Sequence, residues 1–143
     1  MSDTTTTPTT LEQRRETMLA IHDAAAAEDW ATVLAAYHPD VVWTNDPGAG
    51  PWAGRFEGID ALATMFGEYL EFLGGTFTHE VIDVCVSEDR SMSFVIERGS
   101  KDGHLYENRA VWISRFVDGL IVDVVTVDLD RDDALAFWSA VSG

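Results

Sequence analysis

Cysteine, basic residues and long apolar runs are all scarce in this chain, and each shortage removes a class of protein. Cys85 is the single cysteine among 143 residues, so one chain can form neither an internal disulfide nor a thiolate metal cluster. Its setting, Val84-Cys85-Val86, predicts a strand carrying an inert small side chain. Lysine and arginine total 9 against 25 aspartates and glutamates, a formal charge of −16. Such a field repels phosphate backbones and anionic headgroups, which argues against nucleic acid and membrane partners. No stretch approaches the roughly 18 apolar residues of a membrane span. Residues 1–10 have no basic start and no apolar run, so no secretory signal is expected and the cytoplasm is the default location.

The familiar cofactor and nucleophile signatures are missing too. There is no G-x-G-x-x-G or G-x-x-x-x-G-K-[ST] run, no calcium loop and no G-x-S-x-G elbow. His79 and Asp83 are four apart in a strand-like segment, where that spacing separates them by more than about 13 Å. No metal and no cofactor are therefore expected.

What is present reads as one domain. A Thr-rich, disordered tail is expected at residues 1–9, and a single domain over 10–143. Apolar spacing predicts helices at about 11–27, 30–37 and 60–73, with Asp60 as the third N-cap and Gly74-Gly75 as its stop. A short strand is expected at 41–44, then a Gly/Pro-rich loop over 45–55. Strands follow at about 76–86, 91–98, 105–116 and 120–128, joined by hairpin spacers. A helix at about 131–140 closes the chain, with Asp130 as the better cap candidate. Helices followed by an antiparallel meander make an α+β domain. The long strand over 105–116 should curl as the sheet twists and leave a concavity under the helices.

Asp46 stands where Val41-Val42-Trp43 runs into the Gly/Pro-rich loop. Two readings fit it. An acid against an apolar wall has a raised pKa and can act as a general base. An Asp before Pro-Gly also starts turns by capping the loop with its side chain.

The segment Asp29-Trp-Ala-Thr-Val-Leu-Ala-Ala-Tyr-His-Pro-Asp-Val-Val-Trp-Thr-Asn-Asp-Pro47 resembles the opening of the NTF2-like superfamily, closest to its ketosteroid-isomerase-like and SnoaL-like (polyketide-cyclase-like) group. Gly54-Arg-Phe-Glu-Gly-Ile-Asp-Ala-Leu62, His79-Glu-Val-Ile-Asp83, Val117-Asp-Gly-Leu-Ile121 and Asp128 extend the likeness over residues 11–138. The resemblance implies a cone-shaped fold, a curved antiparallel sheet packed on three N-terminal helices plus a short C-terminal one. It also implies a pocket between sheet and helices and a homodimer formed through the sheet. It leaves the reaction open, because the superfamily holds isomerases, cyclases, dehydratases, hydrolases and binders. Asp46 falls on the isomerase's base. The isomerase's tyrosine and protonated aspartic acid fall near Ile21 and Trp112, which cannot replace them as oxyanion donors. Canonical steroid isomerisation is therefore not expected.

The candidate proton-transfer residues are Asp46, Asp128 and His79. Asp128 shares a strand face with Val122, Val124 and Thr126, and polyketide cyclases use a late-strand acid. His79 alternates with Phe77 and Val81 and so faces the core or pocket, where it could act as acid or base or be a structural histidine bonded to a neighbouring strand. Tyr106, Asn108, Ala110, Trp112 and Ser114 share one face whose mixture of amide, hydroxyl and aromatic groups suits a small-molecule site. Trp43, Trp52, Phe66, Tyr69, Ile21 and His22 complete the expected pocket. His38 and His104 are expected near the surface. Three functions fit: an acid–base enzyme acting on a small hydrophobic or polyketide-like molecule, a non-catalytic binder of an apolar ligand, or a dimerisation domain that fills its own pocket.

Overall fold

The structure, a computed structural model, describes residues 10–141. The tail expected at 1–9 lies outside the described residues. The chain runs α1 (Thr10–Ala26), α2 (Trp30–Ala35), β1 (Tyr37–Asn45), a 3-10 segment (Pro47–Trp52), β2 (Gly54–Glu57), α3 (Ile59–Phe72), β3 (Thr78–Val86), β4 (Arg90–Lys101), β5 (His104–Val117), β6 (Leu120–Asp128) and α4 (Arg131–Val141).

Local chemistry sets the boundaries. Asp29 caps α2, its carboxylate accepting from the Thr32 N–H at 3.3 Å and the Thr32 hydroxyl at 2.6 Å. α2 stops at Ala35 rather than 37, and β1 begins at Tyr37 rather than 41. Pro39 accounts for this, because a residue before proline is pushed out of the helical region and into extended backbone. The N-cap of α3 is Gly58, not Asp60. Asp60 sits in the first turn instead, where the helix dipole favours an acid.

One sheet holds all six strands in the order β2-β1-β6-β5-β4-β3. β3 to β6 form the expected antiparallel meander. β1 joins β6 in parallel and β2 folds back antiparallel onto β1. The stretch expected as one loop over 45–55 thus holds a 3-10 segment and an edge strand. The 3-10 segment bends at Gly50, whose φ of 59° suits glycine.

Period-2 alternation places Tyr106, Asn108, Ala110, Ser114 and Phe116 of β5 on the buried face. A bulge between Arg115 and Phe116 shifts the pairing with β6. In consequence Ile121 is fully buried and Val122 only half-buried, reversing the expected facing of Val122. Helices cover this inner face. Met18 and Ile21 of α1 pack with Val41, Trp43, Val84 and Val124, while Phe137 and Trp138 of α4 pack with Tyr106 and Leu73. On the outer face Met92, Val125 and Val127 remain exposed. Cys85, on β3, is exposed too.

Candidate active site

A cavity lies between the inner sheet face and α1, α2 and α3. Among the residues expected there, Ile21, His22, Trp43, Trp52, Phe66, Tyr69, His79, Tyr106, Asn108, Trp112 and Asp128 line it. Ser114 does not; it is buried beneath the sheet surface, 2% exposed. Asp46 is absent from the wall as well. The cavity has a volume of about 80 Å³, room for about six waters.

Aromatic edges build the apolar wall. Trp43 stands at right angles to Phe66 and close to perpendicular to Trp112, with ring centroids 5.2 Å apart in both pairs. Its indole N–H donates to Asn45 Oδ1 at 2.6 Å, and Asn45 Nδ2 donates to the Trp52 carbonyl at 2.7 Å. Asn45 thereby ties β1 to the 3-10 segment and satisfies the one polar atom of a fully buried indole.

Asp46 is 6% exposed, and donors surround its carboxylate. Oδ1 accepts from Gly48 N–H at 2.9 Å and Arg131 Nε at 2.7 Å. Oδ2 accepts from Arg131 Nη2 at 2.6 Å and Asp128 N–H at 3.2 Å. Burial pushes this carboxyl up, but the Arg131 fork and the two backbone donors outweigh it and hold the group below its ordinary range. The loop-capping geometry is therefore present, with Asp46 as N-cap of the 3-10 segment.

Asp128 has the opposite environment. It ends β6 at the cavity wall, where burial raises its carboxyl from 3.8 to about 6. The charges of Asp46 and Glu97 add to the rise, while an Asn108 hydrogen bond and Arg131 oppose it. Gly48 passes so close that a Cβ there would collide with the carboxylate. Two acids 82 positions apart in sequence, joined by the Asp128 N–H to Asp46 contact, thus have pKa values pushed in opposite directions. Such divergence marks acid–base sites.

The third group is a line of side chains. His79 Nδ1 lies 3.0 Å from Glu97 Oε2, and His79 Nε2 lies 2.8 Å from His22 Nδ1. The two imidazole planes differ by 12° and their centroids are 5.1 Å apart. Two ring radii and the 2.8 Å nitrogen contact account for that separation, so the rings meet edge to edge in nearly one plane. Burial, and then the neighbouring His79, depress the basicity of His22 to a pKa of about 3.

A family model described as a SnoaL-like domain matches residues 18–124. The chain belongs to this family. Three solved structures show how far the SnoaL-like fold extends. Bal32a, from a soil-derived mobile gene cassette, is 23% identical, with 91% of this chain and 99% of that one covered at a TM-score of 0.84. A Xanthomonas campestris protein with a cystatin-like fold is 27% identical over 86% of this chain and 95% of its own, TM-score 0.78. A candidate SnoaL-like polyketide cyclase from Jannaschia sp. CCS1 is 18% identical over 98% and 99%, TM-score 0.72. No protein of curated function matches the chain in sequence.

Two side chains of this SnoaL-like domain that touch the candidate groups, Glu97 and Arg131, were not among the expected site residues. Glu97 lies two residues from the fully buried Val95 on β4 and so shares its inward side; an acid at that alternating position is the signal in the sequence. Arg131 is the sole cation in the run from Asp128 to Asp133, among four acids. Asp130 does not cap α4 with its carboxylate, which pairs with Arg109 at 2.7 Å and accepts from the Arg109 N–H. Its carbonyl receives the Ala134 N–H instead. Among the described residues no helix is long and apolar enough to cross a membrane.

Proposed function

We propose that this SnoaL-like domain is a cofactor-independent acid–base enzyme that relocates a proton on a small hydrophobic molecule, with Asp128 exchanging the proton. The observation that carries the reading is Asp128 itself, a carboxyl with a pKa of about 6 on the wall of a mostly apolar cavity. A carboxyl tuned toward neutrality serves as a base in one step and an acid in the next. His79 remains a second candidate on the same wall. Asp46 takes a positioning role in this reading, holding the Asp128 N–H and adding negative charge beside it.

The isomerase's oxyanion donors are replaced near Ile21 and Trp112, yet the wall carries other hydroxyls, those of Tyr37, Tyr69, Tyr106 and Thr126. Tyr69 and Tyr106 both line the cavity, and burial keeps each protonated. A buried O–H aimed at developing negative charge lowers the barrier to an enolate. Space for about six waters suits a single-ring or short-chain substrate rather than a multi-ring one. The exposed outer sheet face supports a homodimer, and the acidic surface supports a nucleic-acid-free and membrane-free setting.

The test is deuterium uptake from deuterium oxide into one-ring carbonyl compounds such as cyclohexanone and cyclohex-2-enone, followed by proton NMR. The wild type should exchange the α-hydrogens, and Asp128→Asn should lose at least about a hundredfold in rate while still binding. Binding without exchange in the wild type would favour the non-catalytic binder. Ala110→Phe, which fills the cavity from β5, should abolish both.

A further inference from the structure

The proton exchange assigned to Asp128 does not draw on the linked Glu97–His79–His22 line. The line has three features that a structural histidine pair does not need. Its outer end is an acid, 15% exposed in its side chain and itself on the cavity wall. Its middle ring is held at both nitrogens. At the inner end, His22 lines the cavity, is 1% exposed, and has its Nε2 buried without a hydrogen-bond partner.

The resting state follows for a neutral His79: the Glu97 carboxylate accepts from its Nδ1–H, which leaves Nε2 bare. His22 must then donate from Nδ1, which leaves its own Nε2 as a lone pair. A nitrogen left in that state, fully buried, lacks the partner that buried polar atoms normally have.

We propose that Glu97, His79 and His22 form a proton relay whose cavity end, His22 Nε2, accepts the proton of an acidic hydroxyl, a phenol or an enol, on a single-ring ligand. The ligand's O–H bond breaks and its hydrogen bonds to His22 Nε2. The hydrogen on His22 Nδ1 passes to His79 Nε2. The ligand keeps the electron pair as an oxyanion, and the positive charge resides on His79, against Glu97. The relay explains how a ring that burial makes a poor base can still receive a proton: the charge does not stay on it. The inference rests on the cavity being a ligand site and not on the chemistry assigned to Asp128.

Nitrogen-15 NMR of histidine-labelled, ligand-free protein tests the relay at neutral pH. His22 Nε2 should resonate at the unprotonated end of the imidazole range, and a scalar coupling should connect His22 Nδ1 with His79 Nε2. Glu97→Gln, whose amide can donate to His79 Nδ1, should reverse the line and move the His22 Nε2 signal to the protonated end. A protonated His22 Nε2 in the wild type, or no coupling between the rings, overturns the proposal without recourse to a variant. The ligand arm uses 4-nitrophenol, whose absorption reports its ionisation. Bound to the wild type it should ionise at least one pH unit below free nitrophenol, an advantage lost in His22→Gln and kept in Asp128→Asn. No saturable binding, or binding with an unshifted spectrum, overturns the assignment of the hydroxyl ligand. Loss of the shift in Asp128→Asn with retention in His22→Gln would transfer the role to Asp128 and leave the proposed function standing.

Discussion

Asp128 and Asp46 show how little separates a titrating acid from a structural one at the scale of single residues. Both are carboxylates at strand ends, and they touch through the Asp128 N–H. Asp46 has an arginine fork and Asp128 does not, and that decides their protonation. The stability consequences have opposite signs. For Asp128, the folded chain keeps its proton between pH 3.8 and about 6 while the unfolded chain has lost it. Stability therefore falls as pH rises through that window. Asp128→Asn should remove the penalty, raising stability at pH 8 by about 1–2 kcal/mol after allowance for solvent screening, with no gain below pH 4. Urea unfolding at the two pH values reads this directly. For Asp46, whose carboxyl is held down, stability is present above the ordinary carboxylate pKa and lost as pH falls through the folded one. Asp46→Asn should cost about 2–3 kcal/mol at neutral pH, less than a fully buried pair because Arg131 is half-exposed. A loss of deuterium exchange with unchanged stability would instead make Asp46 the base. The sequence showed that an acid stands at each position and that His79 and Asn108 face inward. It could not show which acid Arg131 would choose, because an 85-residue separation is closed only by the parallel β1–β6 pairing.

At the scale of elements, the legible parts were those governed by period. The alternation of β5 and the 3.6-residue spacing of α3 depend on neighbours along the chain, and both placed their pocket residues on the correct face. The parts that were hidden depend on contacts across the fold. The bulge that turns Ile121 inward and Val122 outward arises where β5 and β6 slip by one residue, and no local signal announces it. The 3-10 segment was hidden for a related reason: it is shaped by α4. Trp138 Nε1 donates to the Gly48 carbonyl at 2.7 Å, and a Cβ on Gly50 would lie 2.5 Å from Trp138 Cγ. Gly50→Ala must therefore strain a positive φ and displace an indole at once, and should cost about 2–4 kcal/mol. Gly67→Ala, inside α3 with nothing within 4 Å of the new Cβ, should stabilise by about 0.5–1 kcal/mol. Denaturant midpoints for the pair separate a packing glycine from a merely tolerated one. If Gly50→Ala were neutral, α4 would not be seated on the 3-10 segment in solution.

At the scale of the whole molecule, burial on one side of the sheet leaves a question on the other. The helices occupy the inner face, and the strand registers align Met92 with Ile113 and Ile113 with Val125 on the outer one. Phe94, Val111 and Val127 form the adjacent row. Met92, Val125 and Val127 are 48%, 37% and 37% exposed, so this patch gains from burial against a second copy at about 25 cal/mol per Å² of apolar surface. Charge opposes that gain, because each chain brings −16 and two copies repel over a Debye length of about 10 Å at 0.1 M salt. The balance makes association depend on ionic strength in a direction opposite to that of an ion-paired interface. Sedimentation velocity should show the dimer fraction rising as salt increases to roughly 0.5 M, where the repulsion is screened within a few ångströms while the apolar term persists. Val125→Lys should return the protein to monomer at every salt concentration and leave the cavity on the opposite face, with Asp128 and His22 on its wall, intact. A dimer that weakens with salt, or one indifferent to Val125→Lys, would place the contact elsewhere on the surface.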